Sequence, residues 1–303
     1  MALERIGFIG LGRMGRPMAA RLLASGVVLH VFDARRETAI AFAGAHAGKP
    51  ARSLADLAPD CDAVITMLPD GDTVHRVVAG EGDRLLDGLA PGSVVIDMSS
   101  SAPSGTVALG RLLAEHGVGM LDAPVSGGVP RAEQGTLAIM VGGEAPLRER
   151  CRPLFMAMGT SVFATGRLGS GHAVKALNNL VSAAGFVAAA EALLVGRRFG
   201  VDPAVMLEVF NASTARNNST EQKFGPFVFT RTFASGFALD LMVKDLGIAM
   251  GLAAETGTSV RLSSICQDVW AAAQAALPAG ADHTEVVRWL EQLCGTILAA
   301  EER

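Results

Sequence analysis

Through the first half of the chain, short runs of β-branched and apolar residues alternate with helix-length stretches whose apolar positions recur every three or four residues. Residues 6–9, 27–32, 63–67, 94–97 and 119–122 read as strands, with helical patterns such as 18–24 and 106–116 between them. A parallel neighbour needs a crossover of about helix length, so the alternation predicts right-handed βαβ units in a largely parallel sheet. Two further runs, 137–141 and 161–164, flank a helical stretch over 145–156 and are expected to extend that sheet. Beyond Gly169, Ser170 and Gly171 the pattern changes, and no strand is predicted from there to the end. Residues 173–199 contain no proline and are rich in Ala, Leu and Val. They predict one helix of roughly 40 Å at 1.5 Å per residue, a rod long enough to join two domains. Later helices are expected over 203–209, 239–256, 260–275 and 285–298, broken by Gly, Pro and Asn clusters. The expected fold is α/β over 1–168, a doubly wound sheet, and all-α over 169–303.

A length of 303 residues suits two domains. With 50% hydrophobic and 18% charged residues, the chain is far from the core-poor composition of a disordered one. A formal charge of −4 and the lack of any basic block argue against a nucleic-acid partner and favour small molecules. The lead Met1, Ala2, Leu3, Glu4, Arg5 has no signal-like h-region. The apolar stretch 180–194 is interrupted by Glu191 and reads as a buried helix, so no membrane partner is expected. Cys61, Cys151, Cys266 and Cys294 form no C-x-x-C pair and no cluster with histidine, so neither a metal site nor a disulfide framework is predicted. Together these predict a cytoplasmic protein. Arginine outnumbers lysine 22 to four, and the four are Lys49, Lys175, Lys223 and Lys244. Lysine can give up its proton where arginine cannot, so each merits attention as a proton-transfer candidate.

The first strand runs into Gly10, Leu11, Gly12, Arg13, Met14 and Gly15 and then a helix, with Asp33 ending the second strand. In that setting G-x-G-x-x-G specifies a Rossmann-like dinucleotide site. The first glycine permits the tight turn, the second a close approach of the pyrophosphate, and the third close packing of helix on strand. Asp33 can accept from both ribose hydroxyls and would repel a 2′-phosphate, which favours NAD, with NADP as the alternative. Arg35 and Arg36 follow directly and are suited either to that phosphate or to a solvated helix start.

The run 7–19 resembles the N-terminal signature of the β-hydroxyacid dehydrogenase family, of the 3-hydroxyisobutyrate dehydrogenase type. Four more blocks agree in order, ending at Leu246. Residues 97–103 resemble its D-x-S-[ST]-x-x-P loop, and 122–128 followed by Gly135, Thr136 and Leu137 resemble its substrate-binding segment. Residues 169–179 resemble its catalytic G-x-G-x-x-x-K-x-x-N-N, and Lys244, Asp245 and Leu246 its K-D-L. Arg21 stands where many members have Asn, and Ser100 replaces a common Thr. The segment 213–219 lies where the family places part of its substrate pocket, and it differs from the valine-catabolism enzymes.

The resemblance implies hydride transfer between a nicotinamide cofactor and a small β-hydroxyacid, with Lys175 as general acid/base and Asn179 beside it as the second catalytic residue. It implies that Ser126, Gly127 and Gly128 hold the substrate carboxylate, and that Leu68, Pro69, Ser100 and Lys244 join the glycine loop in holding the cofactor. Residues four apart on a helix share a face, so Lys175 and Asn179 can meet one ligand. His172 reads as part of the helix start and Asn178 as a packing amide, while Lys223 leans towards a pocket rim and Lys49 reads as surface. The helical half, apolar and poor in aromatics, predicts a homodimer or homotetramer. The competing readings are an NADPH-dependent reductase of a small semialdehyde using the same residues, and a non-catalytic nucleotide sensor. A phosphogluconate dehydrogenase resembles the chain around 169–175 but is longer.

Overall fold

The computed structural model describes residues 3–299; Met1 and Ala2 of the lead read above, and residues 300–303, lie outside them. The chain divides into two compact units, Met1–Lys175 and Ala176–Arg303.

In the first unit the strands are β1 (Arg5–Ile9), β2 (Val28–Phe32), β3 (Lys49–Pro50), β4 (Ala63–Thr66), β5 (Val94–Asp97), β6 (Gly119–Asp122), β7 (Val125–Ser126), β8 (Leu137–Gly142) and β9 (Gly159–Gly166). The helices between them are α1 (Gly15–Ala24), α2 (Arg36–His46), α3 (Leu54–Leu57), α4 (Gly71–Ala79), α5 (Pro103–Glu115), α6 (Gly128–Gln134) and α7 (Ala145–Met158). Among the described residues the strands form one sheet in the order β3-β2-β1-β4-β5-β6-β8-β7, with β9 on β8. Pairings from β3 to β6 are parallel; β8 runs antiparallel to β6 and β7, and β9 parallel to β8. The expected strands 137–141 and 161–164 do extend the sheet. Helices cover both faces: Ile6, Phe8, Ile65 and Ile96 pack with Met18, Leu22 and Phe155, while Val64 and Val95 pack with Leu57, Val78 and Leu113. Burial on both faces explains why these strands read as continuous apolar runs. The order reverses at β1, whose neighbours are β2 and β4, and in such sheets ligands bind at the carboxyl ends of the strands flanking that reversal.

The helix α8 (Ser170–Phe199) follows β9 and continues into the second unit, which holds α9 (Pro203–Ala212), α10 (Asn218–Gln222), α11 (Leu239–Glu255), α12 (Arg261–Ala276) and α13 (Val286–Cys294). Its core gathers Phe186, Phe224, Trp270, Val287 and Leu290. By length and composition α8 could cross a membrane, but half of its most apolar window is buried against the protein itself, as in a core helix. Burial pushes the Cys61 and Cys151 thiols up to about 12.

The structure departs from the sequence reading in particulars. The predicted helix 285–298 stops at Cys294, because Gly295 turns left-handed at φ 63° and Glu291 Oε1 takes the Leu298 N–H at 2.7 Å. Strands β3 and β7 are two residues each, too short to leave a pattern, and the π-helix Phe224–Phe229 has no sequence signature.

Candidate active site

The glycine loop after β1 has the backbone geometry that its three expected duties require, each for a visible reason. Gly10 has φ +96° and an added Cβ would stand 2.3 Å from the Met67 carbonyl oxygen; a Cβ at Gly15 would stand 1.9 Å from that of Gly10. A Cβ at Gly12 meets nothing within 4 Å. The first and third glycines are thus required by the fold, whereas the second leaves open space where a ligand needs it. Helix α1 starts here with no side-chain cap at Met14 and no acid in its first turn, which leaves its positive end suited to a phosphate. Asp33 holds the rim: Oδ2 accepts from Leu11 N–H at 2.9 Å and Oδ1 from Arg35 N–H at 2.9 Å. Beside it lies a groove of about 560 Å³ lined by residues including Leu11, Gly12, Arg13, Arg16, Arg35 and Thr38. These residues fit a dinucleotide.

The structure brings two more of the predicted cofactor segments to this end of the sheet. Leu68, in the loop after β4, lies against Gly10, and its N–H donates to Ser99 Oγ at 2.9 Å. Pro69 follows Leu68, and Ser100 follows Ser99 in the loop after β5. That loop is shaped by buried Asp97, which accepts from Thr66 Oγ1 at 2.9 Å, Ser99 N–H at 2.9 Å and Ser101 Oγ at 2.7 Å. The three bonds offset the cost of burying the carboxylate.

Asp122, at the end of β6, caps the head of α8: Oδ1 accepts from Gly169 N–H and Oδ2 from His172 N–H, both at 2.8 Å. A carboxylate is stabilising at a helix N-terminus, and this cap starts the helix three residues earlier than the sequence predicted. The G-x-G of this motif is structural. Gly169 has φ +89°, and a Cβ at Gly171 would stand 2.2 Å from the Met140 carbonyl oxygen. One turn into α8 comes half-buried Lys175, and a turn later buried Asn179. Asn179 Nδ2 donates to Asp245 Oδ2 at 2.5 Å, and its Oδ1 accepts from Asn178 Nδ2 at 3.3 Å. The other oxygen of Asp245 lies 3.3 Å from Lys244 Nζ. In the second unit, then, Asn179, Asp245 and Lys244 form one polar cluster.

Ser126 is half-buried at the end of β7, and exposed Gly127 (φ +135°) and Gly128 (φ +67°) lead into α6. Both conformations are ones that glycine adopts at little cost. In the segment 213–219, Asn217 is a helix cap: its Oδ1 accepts from Ser219 and Thr220 N–H. Burial lowers the Lys223 ammonium against the opposing pull of Asp282, and its Nζ lies 5.6 Å from the Phe227 ring centroid. Burial raises the Asp282 carboxyl, but hydrogen bonds from His283, Thr284 and Ser235 outweigh it and hold the group well below the usual range. Among the described residues no group of three or more His, Cys, Asp or Glu is placed to hold a metal ion.

In the first unit Asp97 and Asp122, and in the second Asp245, hold the segments that carry the predicted residues, yet the sequence reading named them only within motif blocks and gave them no role. Asp245 left a trace: the spacing Met242, Asp245, Leu246, Ala249 puts it on the buried face of α11. An acid at a core position is costly enough to need a partner. Asp97 and Asp122 likewise end runs of buried strand residues.

Residues 5–166 match the NAD binding domain of 6-phosphogluconate dehydrogenase, and 169–290 the NAD-binding domain of NADP-dependent 3-hydroxyisobutyrate dehydrogenase. The chain is 36% identical over 291 residues to a 2-(hydroxymethyl)glutarate dehydrogenase of Eubacterium barkeri, with 96% of each covered. It is 37% identical over 277 residues to an NAD-dependent L-serine dehydrogenase of Pseudomonas aeruginosa, covering 88% of this chain and 91% of that one. The solved structure of Mycobacterium tuberculosis 3-hydroxyisobutyrate dehydrogenase with L-serine superposes with a TM-score of 0.87 at 35% identity, covering 96% of this chain and 99% of that one. With a nucleotide-binding loop, a capped helix carrying lysine and asparagine, and relatives matched almost end to end, the chain belongs to the 3-hydroxyisobutyrate dehydrogenase family of β-hydroxyacid dehydrogenases and is an NAD(P)-dependent enzyme.

Proposed function

We propose that this dehydrogenase oxidises a small β-hydroxyacid with NAD, Lys175 taking the hydroxyl proton. The observation that carries the reading is the placement of Lys175 and Asn179 one turn apart on α8, with Asn179 locked by Asp245. Bound NAD would accept the hydride from the hydroxyl-bearing carbon. Lys175, in its amine form, takes the proton as that carbon becomes a carbonyl, and Asn179 orients the hydroxyl oxygen. Ser126 and the exposed amides of Gly127 and Gly128 receive the substrate carboxylate. The substrates named for the relatives, L-serine, 3-hydroxyisobutyrate and 2-(hydroxymethyl)glutarate, are the first to assay. Gly10, Leu11, Gly12, Arg13, Met14, Gly15, Asp33, Leu68, Pro69, Ser100 and Lys244 serve the cofactor in this reading. Lys175→Arg keeps the charge but cannot accept the proton, so both it and Lys175→Met should lose about 10²-fold or more in kcat while NAD binding persists. Turnover of Lys175→Arg within threefold of the parent would sink the proton-transfer role.

NAD rather than NADP is supported by Asp33, whose carboxylate is fixed at the loop by Leu11 and Arg35. A 2′-phosphate beside it should cost about 1–3 kcal/mol. The second reading, an NADPH-dependent reductase of a small semialdehyde, is favoured by Arg13, Arg16 and Arg35 lining the same groove. The ratio of kcat/KM for the two cofactors discriminates: about tenfold or more in favour of NAD is expected, and the same margin for NADP would overturn the NAD assignment in favour of the second reading's cofactor.

We divide the chain functionally at 168/169, between a dinucleotide-binding domain and a helical substrate and oligomerisation domain. A homodimer or homotetramer is supported by the exposed apolar residues of the second unit, Val181, Val195 and Phe199 on α8 and Leu262 and Ile265 on α12. A cytoplasmic location is supported by four free thiols.

A further inference from the structure

His172 is buried, and its contacts reach beyond helix packing. Its ring nitrogens face two different segments of the first unit. Nε2 lies 3.1 Å from the Ser99 carbonyl oxygen and Nδ1 2.8 Å from Thr106 Oγ1 on α5. A carbonyl only accepts, so Nε2 carries a proton and donates it to Ser99. The ring also stands 3.6 Å from Asp97 Oδ2 and 3.9 Å from Asp122 Oδ2. Ser99 is itself a junction: its N–H binds Asp97, its Oγ accepts from Leu68 N–H, and its carbonyl takes the histidine. The loops that carry Leu68 and Ser100 are therefore bonded, through Ser99, to the first turn of α8. Residues three apart on a helix are surface neighbours, about 5–6 Å between Cβ atoms, so Lys175 stands directly beyond this junction.

We propose that His172 is a positioning residue of the dehydrogenase: its ring clamps the head of α8 to Ser99 and so fixes where Lys175 stands relative to the cofactor-side loops. Asp122 settles where the helix begins, and Gly171 sets how closely its head packs on β8, but neither contact joins it to the loop that carries Ser99. The imidazole, bonded to Ser99 on one side and Thr106 on the other, supplies that link. A displacement of about 1 Å in a catalytic group costs on the order of 10²-fold in rate, so a clamp at this point reads out in kcat. The inference rests on Lys175 being the proton acceptor.

The test uses the full-length enzyme, with NAD and whichever of L-serine, 3-hydroxyisobutyrate or 2-(hydroxymethyl)glutarate the parent turns over. His172→Phe keeps the ring volume and removes both polar contacts; His172→Gln keeps a donor near the Nε2 position; Thr106→Val removes the other contact at constant shape. For His172→Phe we expect kcat to fall about 30-fold or more, with the dissociation constant for NAD, titrated separately, within about threefold of the parent. His172→Gln should recover to within about fivefold of the parent, a rescue that a role in bulk packing would not give. Combined with Lys175→Met, His172→Phe should lower the residual rate by less than about threefold, because a residue acting through Lys175 has nothing left to position. Losses that multiply, or a folded His172→Phe enzyme with kcat within threefold of the parent, would overturn the proposal. Should His172→Phe fail to fold, Thr106→Val decides. A fall in kcat of about threefold or more at unchanged NAD affinity supports the clamp, and parental kcat refutes it. If Lys175→Met alone keeps parental turnover, the lysine's role falls and the clamp with it; if Lys175→Met is inactive and His172→Phe is not, only the clamp falls.

Discussion

Two glycine pairs of identical spacing, Gly10 with Gly12 after β1 and Gly169 with Gly171 at the head of α8, share one duty and divide on the other. Gly10 and Gly169 both lead into a helix from left-handed backbone, at φ +96° and +89°. Their partners differ completely. The space a side chain would occupy at Gly12 is empty, whereas at Gly171 it is filled by the Met140 carbonyl and the Asp122 carboxylate. In the first pair Gly12 keeps open the space over the loop; in the second Gly171 lets a helix close onto a strand so that Asp122 can cap it. One short motif thus leaves open space in one place and closes a packing contact in the other, and only the neighbours tell them apart.

The comparison can be broken by alanine. Gly171→Ala carries the largest expected effect: a Cβ against backbone oxygen forces strand β8 and the head of α8 apart, with a stability loss of about 2–4 kcal/mol in urea unfolding. Unchanged stability would show that the close approach is not needed. Gly12→Ala should leave urea unfolding unaltered and weaken NAD binding about tenfold, or about 1.4 kcal/mol, since its methyl enters only the open space over the loop. If Gly12→Ala destabilised the fold as Gly171→Ala does, or left the NAD affinity unchanged, the division of duties would be wrong.

Much of the first unit was legible in the sequence because a parallel strand buried on both faces writes an uninterrupted apolar run. The helix between it and the next strand writes a period of 3.6. The edges were less legible. Lys49 with Pro50 and Val125 with Ser126 form strands only because a neighbour offers its ladder, and two residues carry no period. The overshoot at 285–298 has a related cause: apolar periodicity continued past Gly295, but Arg231 and Glu291 draw the chain back at Leu298.

The spacing of Lys175 and Asn179 one turn apart on α8 and the glycine loop before α1 were determined by the sequence alone, since each depends on residues a few positions apart and on the pitch of a helix. The tertiary structure decided what holds them. Asp122 caps α8 from 47 residues away, Asn179 meets Asp245 across 66, and the His172 ring reaches Ser99 across 73. Local geometry follows from backbone periodicity, which every residue reports. A bond between distant residues depends on strand order and on the direction of each Cα–Cβ bond, and these exist only once the chain has folded.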